Sequence, residues 1–106
     1  MLRKFNPEKV IDVVHWNDTL FSFKTTRSQS LRFRNGEYII IGLEQEEKRP
    51  ILRAYSIVSA NHEDYLEFFS IKVEGGAFTS KLQHLSIGDE VIIGSKPTGT
   101  LVIDDL

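Results

Sequence analysis

The sequence predicts an all-β fold, a six-stranded antiparallel barrel carrying one short helix. Three observations point to it: six short runs rich in β-branched and aromatic residues, turn residues between them, and a single segment with helical spacing. At 106 residues, one compact domain is the default. A chain of this size buries roughly 60–70% of the surface its unfolded form exposes, enough for one core.

The first strand is expected over residues 10–16, where Val10, Ile11, Val13 and Val14 dominate, with turn chemistry following at Asn17-Asp18. Residues 19–25 alternate, placing Phe21 and Phe23 on one face and Ser22 and Lys24 on the other. Asn35-Gly36 marks a turn before the third strand at 38–43. The acidic stretch 44–50 reads as a solvated hairpin loop. A fourth strand is expected at 51–59, a turn at 61–64, and a fifth strand at 66–74 ending in Gly75-Gly76. Phe78, Leu82 and Leu85 are spaced like one face of a short helix, and Ser80 with Gln83 fits a capping box. Gly88-Asp89 turns the chain into the sixth strand, 90–94.

Composition excludes several functions. Net charge is −2 with the cations scattered, so there is no clustered basic surface for nucleic acid. One small phosphorylated ligand is still served by a single well-placed arginine. An oligonucleotide-binding barrel stacking bases on Trp16, Tyr38 and Phe68 needs a positive groove, which the acidic balance opposes. The absence of cysteine removes disulfides, thiolate nucleophiles and cysteine-held clusters. Redox chemistry would therefore come from an organic cofactor. His15, His62 and His84 have no ligand spacing, and no metal site is expected. No apolar run is long enough to cross a bilayer, and the start lacks a secretory pattern, so a cytoplasmic setting is expected and no membrane partner.

Two segments carry chemistry. On a regular strand Arg53 and Tyr55 project to one face, where a guanidinium fork and a flat ring suit a phosphate and a planar ring of one dinucleotide. They also suit an ordinary exposed pair on a half-buried strand. Ser56 falls on the opposite face unless the strand is bulged. Gly75-Gly76 allows close approach to the backbone, and the helix start after it, with Thr79 and Ser80, offers donors to an anion. Taken singly, the glycines are a turn and the hydroxyls are caps.

These segments resemble the short bacterial class of the ferredoxin–NADP⁺ reductase family. Arg53-Ala54-Tyr55-Ser56 matches its R-x-Y-S flavin motif. Residues 69–73 and 76–80 look like the strand and phosphate loop that follow, with Ala77-Phe78 where Pro-Leu is common. Lys96-Pro97-Thr98-Gly99-Thr100-Leu101 resembles the segment closing the flavin domain, and Gly36-Glu37-Tyr38 with Ile41-Gly42-Leu43 the strand before the motif. The match is colinear across nearly the whole chain.

The resemblance implies a Greek-key barrel of the riboflavin-synthase-like kind that binds FAD, with FMN the lesser alternative. Residues 1–106 would form that domain, and the NADP-binding domain that follows it in the family has no counterpart in this sequence. Arg53 would contact the pyrophosphate, Tyr55 would pack on the isoalloxazine, and Ser56 would lie near its N5 edge, making Tyr55 and Ser56 the catalytic pair. Ile71, Lys72 and Val73 would lie along the ring, and Gly76, Phe78, Thr79 and Ser80 would form the phosphate loop. The family moves a hydride from NADPH to the flavin and passes electrons to ferredoxin or flavodoxin. Without a nucleotide domain the chain is expected to be catalytically incomplete. The alternative is a non-enzymatic barrel, either a flavin-free remnant or a module that self-associates through apolar surface left uncovered.

Overall fold

A computed structural model describes residues 5–34, 36–45, 48–72 and 81–97. Its strands are β1 (Phe5–His15), β2 (Leu20–Thr26), β3 (Tyr38–Gln45), β4 (Lys48–Ser56), β5 (Tyr65–Ile71) and β6 (Glu90–Gly94). Every pairing is antiparallel and the spatial order is β4-β3-β6-β1-β2-β5. This is the expected six-stranded antiparallel architecture, a half-barrel.

One strand bends the sheet into that shape. The first half of β1 pairs with β6 and its second half with β2, with a register shift between Val10 and Asp12. Ile11 is the extra residue, and such a bulge sharpens twist and turns a strand from one sheet into another. The start of β1 escapes the sequence pattern because Asn6, Pro7 and Lys9 are exposed.

The inward alternation of β2 holds as expected. Phe21, Phe23 and Thr25 are buried beside Leu66 and Phe68 of β5, and Phe23 and Phe68 meet at 5.3 Å between ring centroids. Ile39, Ile41, Val91 and Ile93 complete the core from β3 and β6. Phe68 is wholly enclosed, which removes it as a base-stacking platform. His15 stacks on Phe21 at 5.8 Å, a structural role.

The turns follow their side chains. Asn17 Oδ1 accepts from the Thr19 and Leu20 amides at 2.8 and 2.9 Å, closing the β1–β2 hairpin. Gly88 takes φ +99 in a turn where the Asp89 amide donates to the Ser86 carbonyl at 3.0 Å. The 44–50 stretch differs from its expected loop. β3 runs to Gln45 and β4 resumes at Lys48, so most of those charged residues lie on strands. A sheet edge tolerates this, and β4 is one, which also accommodates Pro50. Of the expected helix, Lys81 and Leu82 are helical and Leu82 is buried; Phe78 and Ser80 lie outside the described residues.

Candidate functional site

The sheet does not close by a ladder between its two edge strands, β4 and β5. At one end the gap is bridged: the Val58 amide donates to the Glu67 carbonyl at 3.0 Å, and the Glu67 amide donates to Ser59 Oγ at 3.0 Å. Further along, the Tyr55 hydroxyl lies 3.0 Å from Ser70 Oγ. A seam therefore opens between β4 and β5, and the residues of the R-x-Y-S segment lie on it.

Register assigns their faces. Arg53 pairs with Ile41 and Tyr55 with Ile39, both core residues, so Arg53 and Tyr55 share the inward face of β4 as the sequence predicts. Because β5 is not laddered beside them, that face is only partly covered. Tyr55 is half-buried with its ring against the core, while Arg53 is exposed. Ser56 pairs with Tyr38, and the β3–β4 register is regular from there to Leu43, so no bulge brings Ser56 round to the face of Tyr55. The structure thus unites Arg53 and Tyr55 and sets Ser56 on the other side of the strand.

On β5, Ile71 pairs with Leu20 and is 62% exposed on the outer face. Lys72 is held at the β1–β2 turn, its amide donating to the Thr19 carbonyl at 2.8 Å and its ammonium to the Asn17 carbonyl at 2.9 Å. Val73, Gly76, Phe78, Thr79 and Ser80 lie outside the described residues, as does the Gly75 turn.

Burial pushes the Tyr55 phenol above its ordinary value of 10.0; the Ser70 hydrogen bond and the Arg53 charge partly oppose the shift. The phenol is therefore neutral at physiological pH, able to donate and accept. The Arg53 guanidinium donates to the Leu52 carbonyl at 2.7 Å. A cation that acts electrostatically on the phenol and an aromatic ring thus stand side by side at the open seam. This is a fitting arrangement for a ligand that joins an anion to a planar ring.

The chain matches the profile of the oxidoreductase FAD-binding domain over residues 9–103. It belongs to that family. Relatives place this FAD-binding domain with the bacterial-type ferredoxin/flavodoxin–NADP reductases. It is 61% identical over 105 residues to the ferredoxin–NADP reductase of Azotobacter vinelandii, covering 99% of this chain and 40% of that one. It is 54% identical over 99 residues to the flavodoxin/ferredoxin–NADP reductase of Rhodobacter capsulatus, covering 93% and 37%. In three dimensions it matches the Neisseria gonorrhoeae ferredoxin NADP⁺ reductase solved with bound FAD and NADP, with a TM-score of 0.88 and 31% identity over 97% of this chain and 42% of that one. The domain thus spans about two fifths of its relatives' length.

Two features of the FAD-binding domain went unassigned at the sequence level. Ser70 is one, a small polar residue where the inward alternation of Leu66 and Phe68 calls for an apolar one. Arg27 is the other. Its guanidinium donates to the carbonyls of Asn61, Glu63 and Leu31 at 2.6–2.8 Å and to Asn61 Oδ1 at 2.8 Å, while stacking on Phe33. It ties the chain leaving β2 to the connection that joins β4 to β5. No local signal marks it, because most of its hydrogen-bond partners are backbone carbonyls, up to 36 residues away.

Proposed function

We propose that this domain holds FAD at the β4–β5 seam as the flavin-binding part of a ferredoxin/flavodoxin–NADP reductase. The observation that carries the reading is the placing of Arg53 and Tyr55 on one incompletely covered strand face. Arg53 would leave the Leu52 carbonyl for the pyrophosphate, where a charge-assisted fork is worth more than a neutral acceptor. Tyr55 would present its ring to the isoalloxazine. Ser56 is assigned to the flavin's N5 edge by its motif position; its opposite facing requires the ligand to wrap the end of β4. Ile71, Lys72 and Val73 would border the ring, and Gly76, Phe78, Thr79 and Ser80 would seat the phosphates.

FAD when bound supplies the hydride and single-electron chemistry. The chain's own share is to bind and orient it and to keep water from the face that Tyr55 covers. NADPH as donor, and ferredoxin or flavodoxin as acceptor, belong to the full-length protein. FAD is preferred over FMN because the paired cation and ring match a dinucleotide. The reading of a self-associating module draws on exposed Trp16, Phe69 and Ile71 on the outer wall; light scattering over a wide concentration range tests it, a constant monomer mass removing it.

Titrating the 106-residue chain with FAD should shift the flavin's visible absorption bands. Arg53→Ala should weaken FAD by about 1.5–3 kcal/mol, the scale of a hydrogen bond to a charged group, and leave riboflavin unaffected. An unshifted flavin spectrum at tens of micromolar contradicts the reading; equal weakening of both ligands contradicts the role of Arg53.

A further inference from the structure

We infer that Ser70 is a positioning residue for the flavin site, clamping the Tyr55 phenol across the β4–β5 seam; the inference rests on the FAD reading above. Tyr55 and Ser70 sit on the two strands that lack a ladder between them, and both point inward. Their hydroxyls are 3.0 Å apart, so this contact does for the two side chains what backbone pairing does elsewhere in the barrel. Ser70 is 4% exposed, and its cross-strand neighbour is the fully buried Phe21. The serine is therefore fixed by packing, and the half-buried tyrosine is the partner that gains order from it.

The position is chemically costly unless it is used. Leu66 and Phe68 precede Ser70 on the same face, and a third apolar residue would pack there with no polar group to satisfy. A buried hydroxyl at that point is answered by the Tyr55 hydroxyl. With its tip held, the phenol ring pivots less about χ1 and χ2 and keeps one attitude toward the seam. A ring fixed before the ligand arrives loses less entropy on stacking. Ser70 touches no ligand atom in this scheme and acts through Tyr55 alone.

The test measures binding and emission of FAD and of riboflavin on the 106-residue chain and on Ser70→Ala, Tyr55→Phe and the double variant. Ser70→Ala should raise the dissociation constants of both flavins by a similar factor, roughly three- to ten-fold, the scale of one neutral hydrogen bond. The similarity arises because the clamp acts at the ring and not at the phosphates. Emission of the bound flavin should rise, since a loosened tyrosine quenches an adjacent isoalloxazine less. In the Tyr55→Phe background, Ser70→Ala should change neither quantity further, because the phenylalanine has no hydroxyl to hold.

A Ser70→Ala effect that persists at full size in the Tyr55→Phe background overturns the inference and makes Ser70 an ordinary packing residue. So does a Ser70→Ala chain that binds both flavins with unchanged affinity and emission. A wild-type chain that binds no flavin overturns the FAD reading itself, and the clamp's purpose with it. In the unliganded chain the phenol titration followed in the ultraviolet should move upward in Ser70→Ala, because a hydrogen bond that holds the value down is lost; an unmoved titration shows the contact is not made in solution.

Discussion

Strands β2 and β4 are built from similar material and end in opposite conditions. β2 (LFSFKTT) is laddered on both sides, by β1 and β5, and buries Phe21, Ser22, Phe23 and Thr25. Among the described residues β4 (KRPILRAYS) is laddered only to β3, and none of its residues is fully buried, although Ile51, Leu52, Ala54 and Tyr55 give it an apolar run of its own. Position in the sheet decides burial. An inward-facing residue on a strand with one unpaired edge is shaped by the core and still reachable by a ligand, which is the condition of Tyr55 and Arg53.

The largest expected effect sharpens this contrast. Phe23→Ala should cost about 3–5 kcal/mol of stability in urea unfolding, the usual scale for emptying a core aromatic site. Arg53→Ala should stay within about 0.5 kcal/mol, as for an exposed residue. Comparable losses at the two positions would erase the distinction between closed wall and open seam.

Gly42→Ala probes the well-paired interior of the sheet next. A Cβ there meets Ile92 Cγ1 at 2.6 Å and Leu52 Cδ2 at 2.7 Å, on the strands to either side. Overpacking of this kind costs about 1–3 kcal/mol. Denaturant midpoints check it, and a neutral substitution would mean that β4 yields freely at the seam side.

Arg27→Lys should cost less than either core change, about 1–2 kcal/mol, because an ammonium keeps the charge but not the planar fork that reaches Asn61, Glu63 and Leu31 together. Amide hydrogen exchange should quicken locally at 57–64 before it does in β2. Uniform quickening would show that the seam and the core open as one unit.

Most of the barrel was legible because its strands alternate or carry β-branched runs between Asn, Asp and Gly turns. β6 appears over the residues expected, since Gly88-Asp89 marks its start and its apolar run is unambiguous. The start of β1 was hidden, because Pro7, Glu8 and Lys9 carry no apolar signal and find order through the β6 ladder and, for Glu8 and Lys9, through hydrogen bonds to Thr26 of β2. The 44–50 charges concealed a continuing hairpin for a related reason: an edge strand has solvent to face. Within the site, the shared face of Arg53 and Tyr55 followed from their spacing alone. The Tyr55–Ser70 contact did not, because two strands that meet without a ladder leave no periodic trace of which residues touch.

The central claim is that the flavin sits at the β4–β5 seam. Nuclear magnetic resonance of the ¹⁵N-labelled chain titrated with FAD tests it most directly. Expected is a set of shifted amides confined to β4 around Arg53 and Tyr55, to the end of β5 from Ser70 to Lys72, and to residues 73–80, with β1 and β6 unmoved. Shifts centred on β1 and β6, or none at a concentration that saturates the absorption change, would contradict it.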